Sequence, residues 1–143
     1  MPAVTAIDLL GGEKTLRRKM TSSLTVVEAV RAGLPYASLE AVMKALGLSR
    51  AQASGVLSVP IRTLIRRKQQ RRLASTESDR LYRLARVAAR AVEVFESPQK
   101  AASWLRGRIP ALGGTVPIDL LDTDAGAQQV EEVLGRVEWG MFS

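Results

Sequence analysis

Asp119, Asp122 and Asp124 form the one carboxylate cluster in this 143-residue chain whose types and spacing invite metal binding or acid–base work. No histidine and no cysteine exists to join them. That excludes a His-based acid–base pair, a Ser–His relay, a thiolate zinc site and a disulfide frame. The three aspartates also stand at expected helix starts, where a carboxylate caps free N–H groups and favours the positive end of the dipole. Capping accounts for them, and no activated nucleophile stands near. The expectation is a binding protein with no cofactor and no metal, not an enzyme.

The second chemistry is charge. Residues 1–108 hold 20 Lys/Arg against 8 Asp/Glu, a balance of +12, whereas residues 109–143 hold one cation, Arg136, and six acids, a balance of −5. A basic body and an acidic end suit two different partners, because complementary fields steer encounter and reject like charge. Nucleic acid is the expected partner of the basic part. No apolar stretch approaches the roughly 20 residues that span a bilayer. Leu9-Leu10 is too short for the apolar region of a signal peptide, so a cytoplasmic location is expected, with no membrane contact.

The elements that must position these groups are all helical. The chain is 46% hydrophobic but only 4% aromatic, so the core must come from Leu, Val, Ala and Ile. Residues 1–23, with Gly11-Gly12 and the basic run Arg17-Arg18-Lys19, are expected to be a flexible arm. Val26, Val27 and Val30 then start a helical stripe. Ser38 is expected to cap a helix carrying Leu39, Val42, Met43 and Leu46, which Gly47 ends. Ser49 caps a short helix through Leu57, a tight turn follows at Ser58-Val59, and Pro60 opens the helix PIRTLIRRKQQ. Ile61, Leu64 and Ile65 of that helix are expected to pack inward. Residues 41–76 carry eight Lys/Arg and no acid.

Two short helices across a tight turn, the second basic on its outer side, make a helix-turn-helix pattern. The candidate nucleic-acid contacts are Arg50, Gln52, Arg62, Thr63, Arg66, Arg67 and Lys68. Leu57 occupies a turn position where many such motifs carry Gly, and a helical bundle with a solvated basic face is the plainer reading of the segment.

Thr76, helped by Asp79, is expected to cap a long helix with Leu81, Leu84, Ala88, Val92 and Phe95 on its buried side and Arg83, Arg86, Arg90 and Glu93 on the other. Ser97-Pro98 starts the next helix, which carries Ala101, Trp104 and Leu105 and closes at Pro110. After the Gly113-Gly114 loop and the turn at Pro117, Asp122 or Thr123 caps a last helix with Ala127, Val130, Leu134 and Val137 inward. Gly140 ends it. An all-α fold is expected: a helix-turn-helix bundle over 24–72, then a small helical domain over 76–143.

This second region carries a recognisable motif. The stretch WLRGRIPALGGTVPIDLLDTDAGAQQVEEVLGRVEWGMF resembles the toxin-binding domain of Xre-type antitoxins that neutralise RES-domain toxins. The pattern falls on Trp104-Leu105, Leu112-Gly113-Gly114, Pro117, Leu120-Leu121, Asp122-Thr123, Gly126, Val130, Leu134, Arg136 and Gly140. The resemblance covers about residues 35–142, including RTLIRRK.

The resemblance implies an antitoxin that occludes the active site of an NAD-degrading RES toxin and represses its own operon by binding double-stranded promoter DNA. It also implies a homodimer within a larger toxin–antitoxin hetero-oligomer. Leu112, Gly113, Gly114, Pro117, Arg136, Trp139, Gly140, Met141, Phe142 and Ser143 are the candidate toxin contacts. An NAD cleft must take a pyrophosphate, so an acidic, apolar-tipped helix would suit it. Two placements stand open for Trp139, in the toxin or back on its own bundle. A stand-alone transcriptional regulator with a dimerising C-terminal region is the alternative function.

Overall fold

A computed structural model of the chain describes residues 3–140. Among the described residues every regular element is helical, and the backbone pairs in extended form only at two isolated bridges, Pro35 with Arg72 and Ile109 with Thr115. The helices are α1 (Ala6–Leu9), α2 (Gly12–Leu16), α3 (Ser23–Ala32), α4 (Tyr36–Leu46), α5 (Arg50–Leu57), α6 (Ile61–Gln70), α7 (Ser75–Phe95), α8 (Pro98–Arg106) and α9 (Asp124–Glu138). Two 3-10 turns, Pro110–Leu112 and Pro117–Leu120, join α8 to α9.

The centre is α7. Its seven apolar side chains Leu81, Leu84, Ala85, Val87, Ala88, Ala91 and Val92 are buried, and α1, α3, α5, α8 and α9 all pack on it. They cover more of its circumference than a single stripe, which is the pattern of a helix enclosed by neighbours. One continuous apolar cluster runs from Leu9 through Leu39, Leu57, Leu64 and Leu105 to Leu134. It crosses the boundary expected at 72–76, so the helix-turn-helix and the C-terminal helices share a core.

Residues 3–23 are not the flexible arm that their composition suggests. Leu10 is 1% exposed and Leu9 and Leu16 are buried, with α1 against α7 and α4. Thr5 and Asp8 cap α1 reciprocally, and Gly11, at φ +98°, reverses the chain into α2. Helices of four and five residues are too short to show periodicity, which hid them from the sequence.

Three further expectations shift. α4 starts at Tyr36 behind Pro35, and Ser38 is buried inside it. α7 starts at Ser75, where the Glu77 carboxylate, not Asp79, receives the Ala74 N–H at 2.8 Å. α8 stops at Arg106, with Gly107 closing it before Pro110 is reached. The predicted caps Ser49, Ser97 and Thr123 all accept backbone N–H groups of their own helices.

Leu10→Ala is expected to cost about 2–5 kcal/mol, the range for emptying a packed leucine site, in urea unfolding followed by circular dichroism. A loss below about 0.5 kcal/mol would mean that the N-terminal segment is an unattached arm.

Candidate nucleic-acid and partner-binding surfaces

The turn between α5 and α6 is built by several converging bonds. Ser58 takes the left-handed conformation at φ +54°, so Leu57 stays helical and buried. The glycine common in such turns is therefore not needed at position 57. The Ser54 hydroxyl donates to the Val59 carbonyl and closes the turn. From α7, the Arg80 guanidinium donates to the Leu57 carbonyl at 3.2 Å, satisfying an orphan acceptor at the end of α5.

α6 is held chiefly by α5, by the fully buried Leu64, and by one ion pair. Arg67 forks onto Glu77 of α7, Nε to Oε1 at 2.8 Å and Nη2 to Oε2 at 3.0 Å. The Glu77 side chain is only 3% exposed. Burial pushes its carboxyl up, but the Arg67 guanidinium, the Ala74 N–H and the charge of Arg66 together outweigh that and hold it below the usual carboxylate range. Arg67, a candidate phosphate contact by sequence, is thus committed to fixing α6 on the core.

The other candidates on this side separate by exposure. Arg62 and Arg66, one turn apart, stand exposed on the outer face of α6, and Lys68 is exposed near its end. Thr63 is half-buried. Arg50 is exposed at the start of α5, whereas the Gln52 amide oxygen accepts the Ser49 N–H at 2.9 Å in that helix's cap. Ile61 and Ile65 do not pack inward as their spacing suggests. They are 41% and 45% exposed, because α6 meets the core along the single line of Leu64 and Arg67. The outer face is therefore arginine interleaved with isoleucine.

Beyond α8, the Ile109 N–H donates to the Thr115 carbonyl at 3.2 Å, closing a loop around Gly113 and Gly114. Both glycines have positive φ, +67° and +79°, and a Cβ on either would meet nothing within 4 Å. Their requirement is conformational, not one of close approach. Leu112 is half-buried, and its turn packs on α9. Pro117 is buried, so it shapes the loop and offers no surface. Gly126 has a different role: a Cβ there would lie 1.8 Å from the Leu120 carbonyl oxygen, so only glycine lets the second 3-10 turn sit against α9.

On α9, Arg136 is exposed and Trp139, at its C-terminal end, is 81% exposed. Trp139 does not pack back on the bundle. Gly140 follows with φ +78°. Met141, Phe142 and Ser143 lie outside the described residues. Trp104, by contrast, is half-buried, its ring 5.6 Å from that of Phe95.

The acidic character of α9 is partly neutralised within the chain. Glu131 pairs with Arg86 at 2.9 Å, and Glu138 accepts from Nη1 and Nη2 of Arg90, at 2.9 and 2.6 Å. The Arg90 guanidinium holds the Glu138 carboxyl below its ordinary range. The cationic face of α7, which the sequence sets opposite the buried stripe, is a docking strip for α9. Arg83 adds bonds to the Leu121 carbonyl at 3.2 and 3.3 Å.

Comparison with known proteins decides the family. Residues 25–86 match the antitoxin Xre-like helix-turn-helix domain, and residues 90–140 match the antitoxin Xre/MbcA/ParS C-terminal toxin-binding domain. Antitoxin Xre of Yersinia enterocolitica is 31% identical over 120 residues, 82% of this chain and 81% of that protein. The chain belongs to the Xre antitoxin family.

Antitoxin Xre of Photorhabdus laumondii is also 31% identical, over 78% of this chain and 76% of its own. A Sphingobium protein named Prs ADP-ribosylating antitoxin is 28% identical over 82% of this chain and 80% of its own. In this Xre-family antitoxin the two matched regions meet within α7, so one helix serves both. No helix among the described residues is long and apolar enough to cross a membrane. Glu77, Arg80 and Gly126 are the positioning residues that sequence reasoning left without a role. Glu77 gave a signal as an acid in the first turn of a strong amphipathic helix, and Gly126 as a position of the C-terminal motif.

Arg67→Ala leaves a buried carboxylate unpaired and is expected to cost about 3–5 kcal/mol at pH 7. In the wild type the depressed pKa of Glu77 adds stability above its unfolded pKa, which is lost as pH falls through the folded value. In the variant only the Ala74 N–H and the Arg66 charge still oppose burial, so the carboxyl is held down less, and the gap between the two proteins should narrow on acidification from pH 7 to 4. Urea midpoints that show a gap constant over that range would contradict the ion-pair assignment.

Proposed function

We propose that this antitoxin binds and neutralises a RES-domain toxin that degrades NAD, by placing its C-terminal segment over the toxin's active site. We also propose that it represses its own operon by binding promoter DNA. The observation that carries the first part is Trp139, the most exposed large apolar side chain among the described residues, at the tip of α9. A tryptophan held in water at a helix end gains by entering a partner's pocket, and interface hot spots favour it.

The remaining contacts are proposed for the Gly113-Gly114 loop, Leu112, Arg136 and Gly140, with residues 141–143 continuing from the tip. Because Glu131 and Glu138 are paired with α7, apolar burial by Trp139, more than net charge, is the main attraction. The name of the Sphingobium relative refers to ADP-ribosylation. ADP-ribosyl transfer and NAD hydrolysis break the same nicotinamide–ribose bond, so one kind of cleft suits both. The catalysis belongs to the toxin, and this chain supplies a plug without cofactor or metal.

For DNA, the supporting feature is the outer face of α6. Arg62 and Arg66 suit phosphate or guanine, and the exposed Ile65 suits a thymine methyl. A dimer within the toxin complex would read paired half-sites.

Truncation after Glu138 is expected to abolish neutralisation of the co-expressed toxin, because it removes the anchor, while leaving the melting temperature within a few degrees. Arg62→Ala with Arg66→Ala should weaken promoter binding by about tenfold or more and spare neutralisation. A truncated chain that still neutralises would rule out the plug. Promoter binding unaffected by the double substitution would rule out the α6 contact.

A further inference from the structure

A cleft of about 820 Å³ separates α2 from the end of α6. Lys14, Thr15 and Arg17 form one wall, and Lys68, Gln70, Arg71 and Arg72 form the other. Tyr36 and Glu40 of α4 lie between them, and Glu40 is the one acid in the lining. Arg72 is engaged internally, donating to the Gly33 carbonyl at 2.6 Å. Lys14, Arg17, Lys68 and Arg71 are exposed and enter no ion pair among the described residues. Four cations thus face one carboxylate across a concave surface, an arrangement that repels itself unless an anion enters.

The basic wall is fixed in place. Leu16 is buried, Arg17 closes α2 at φ +57°, and the Glu13 carboxylate accepts the Met20 N–H at 2.6 Å, tying down residues 13–20. Holding cations on a rigid element lowers the ordering cost of binding relative to a free basic tail. Lys68 and Gln70 belong both to this cleft and to α6, so the cleft borders the C-terminal end of the helix that carries Arg62 and Arg66.

We propose that this cleft is a second nucleic-acid contact, which grips the backbone phosphates of duplex DNA beyond the segment met by α6. The proposal rests on the reading of α6 as a DNA-binding helix. Lys14 and Arg17 reach the same strand as Lys68 and Arg71 and add affinity without base preference, because phosphates carry no sequence information.

The test is fluorescence anisotropy of the full chain with the promoter duplex and with an unrelated duplex, each at several salt concentrations. Lys14→Gln with Arg17→Gln should weaken both duplexes equally, by about tenfold near physiological salt. It should also make the log–log salt slope shallower by about 2. Lys100→Gln with Arg108→Gln removes the same charge away from the cleft and should change neither affinity by more than about twofold.

Unchanged affinity and slope in Lys14→Gln/Arg17→Gln, with Arg62→Ala/Arg66→Ala still impaired, would overturn the cleft while keeping α6. Equal loss in the Lys100/Arg108 control would overturn it as a mere effect of net charge. If Arg62→Ala/Arg66→Ala is the silent variant and Lys14→Gln/Arg17→Gln the impaired one, the α6 reading falls, and with it the cleft as a second contact, leaving the cleft as a phosphate contact on its own. A wild-type chain that binds neither duplex would overturn both.

Discussion

The structure depends on α7 being enclosed. A helix with seven buried apolar side chains cannot stand in water, and its neighbours on both sides need the same surface to bury their own leucines. Its polar groups then fix position. Glu77 takes the Arg67 fork and the Ala74 N–H, Arg80 holds the end of α5, Ser78 receives the Leu34 N–H at 2.7 Å, and Arg86 and Arg90 receive α9. The Glu77 pair is the most consequential of these, because losing Arg67 strands a carboxylate that is almost wholly buried.

This arrangement gives the family's two surfaces a common support. α6, which presents the exposed arginines, and α9, which ends at the tryptophan, are each tied to side chains of α7, through Glu77 in the one case and Arg86 and Arg90 in the other. α5 also packs on the Pro117–Leu120 turn that follows the glycine loop. The proposed toxin contacts and the proposed DNA contacts therefore rest on one packed unit. A change in packing at either end is felt through close-packed side chains.

Long periodic helices were legible in the sequence, and so were three of their caps, although Ser38 and Thr76 lie inside their helices and the Ser22 cap of α3 went unread. The stripe from Leu81 to Val92 and the caps at Ser49, Ser97 and Thr123 emerged from spacing and residue type alone. The α1–α2 segment did not, because its stability comes from Leu9, Leu10 and Leu16 meeting distant helices. Exposure of Ile61 and Ile65 was illegible for the same reason: spacing gives a face, but the number of neighbours decides how wide a face is covered. The fates of the charges were the least readable. Arg67, Arg86 and Arg90 look alike in composition, and only tertiary geometry shows each facing a glutamate.

The measurement that bears most directly on this account is native-state hydrogen exchange across a denaturant series. If α7 unites the molecule, amides of α5 and α6 and amides of α8 and α9 should converge on one opening free energy equal to that of global unfolding. Exchange of α5 and α6 through a separate opening of lower free energy, with α8 and α9 still protected, would contradict it.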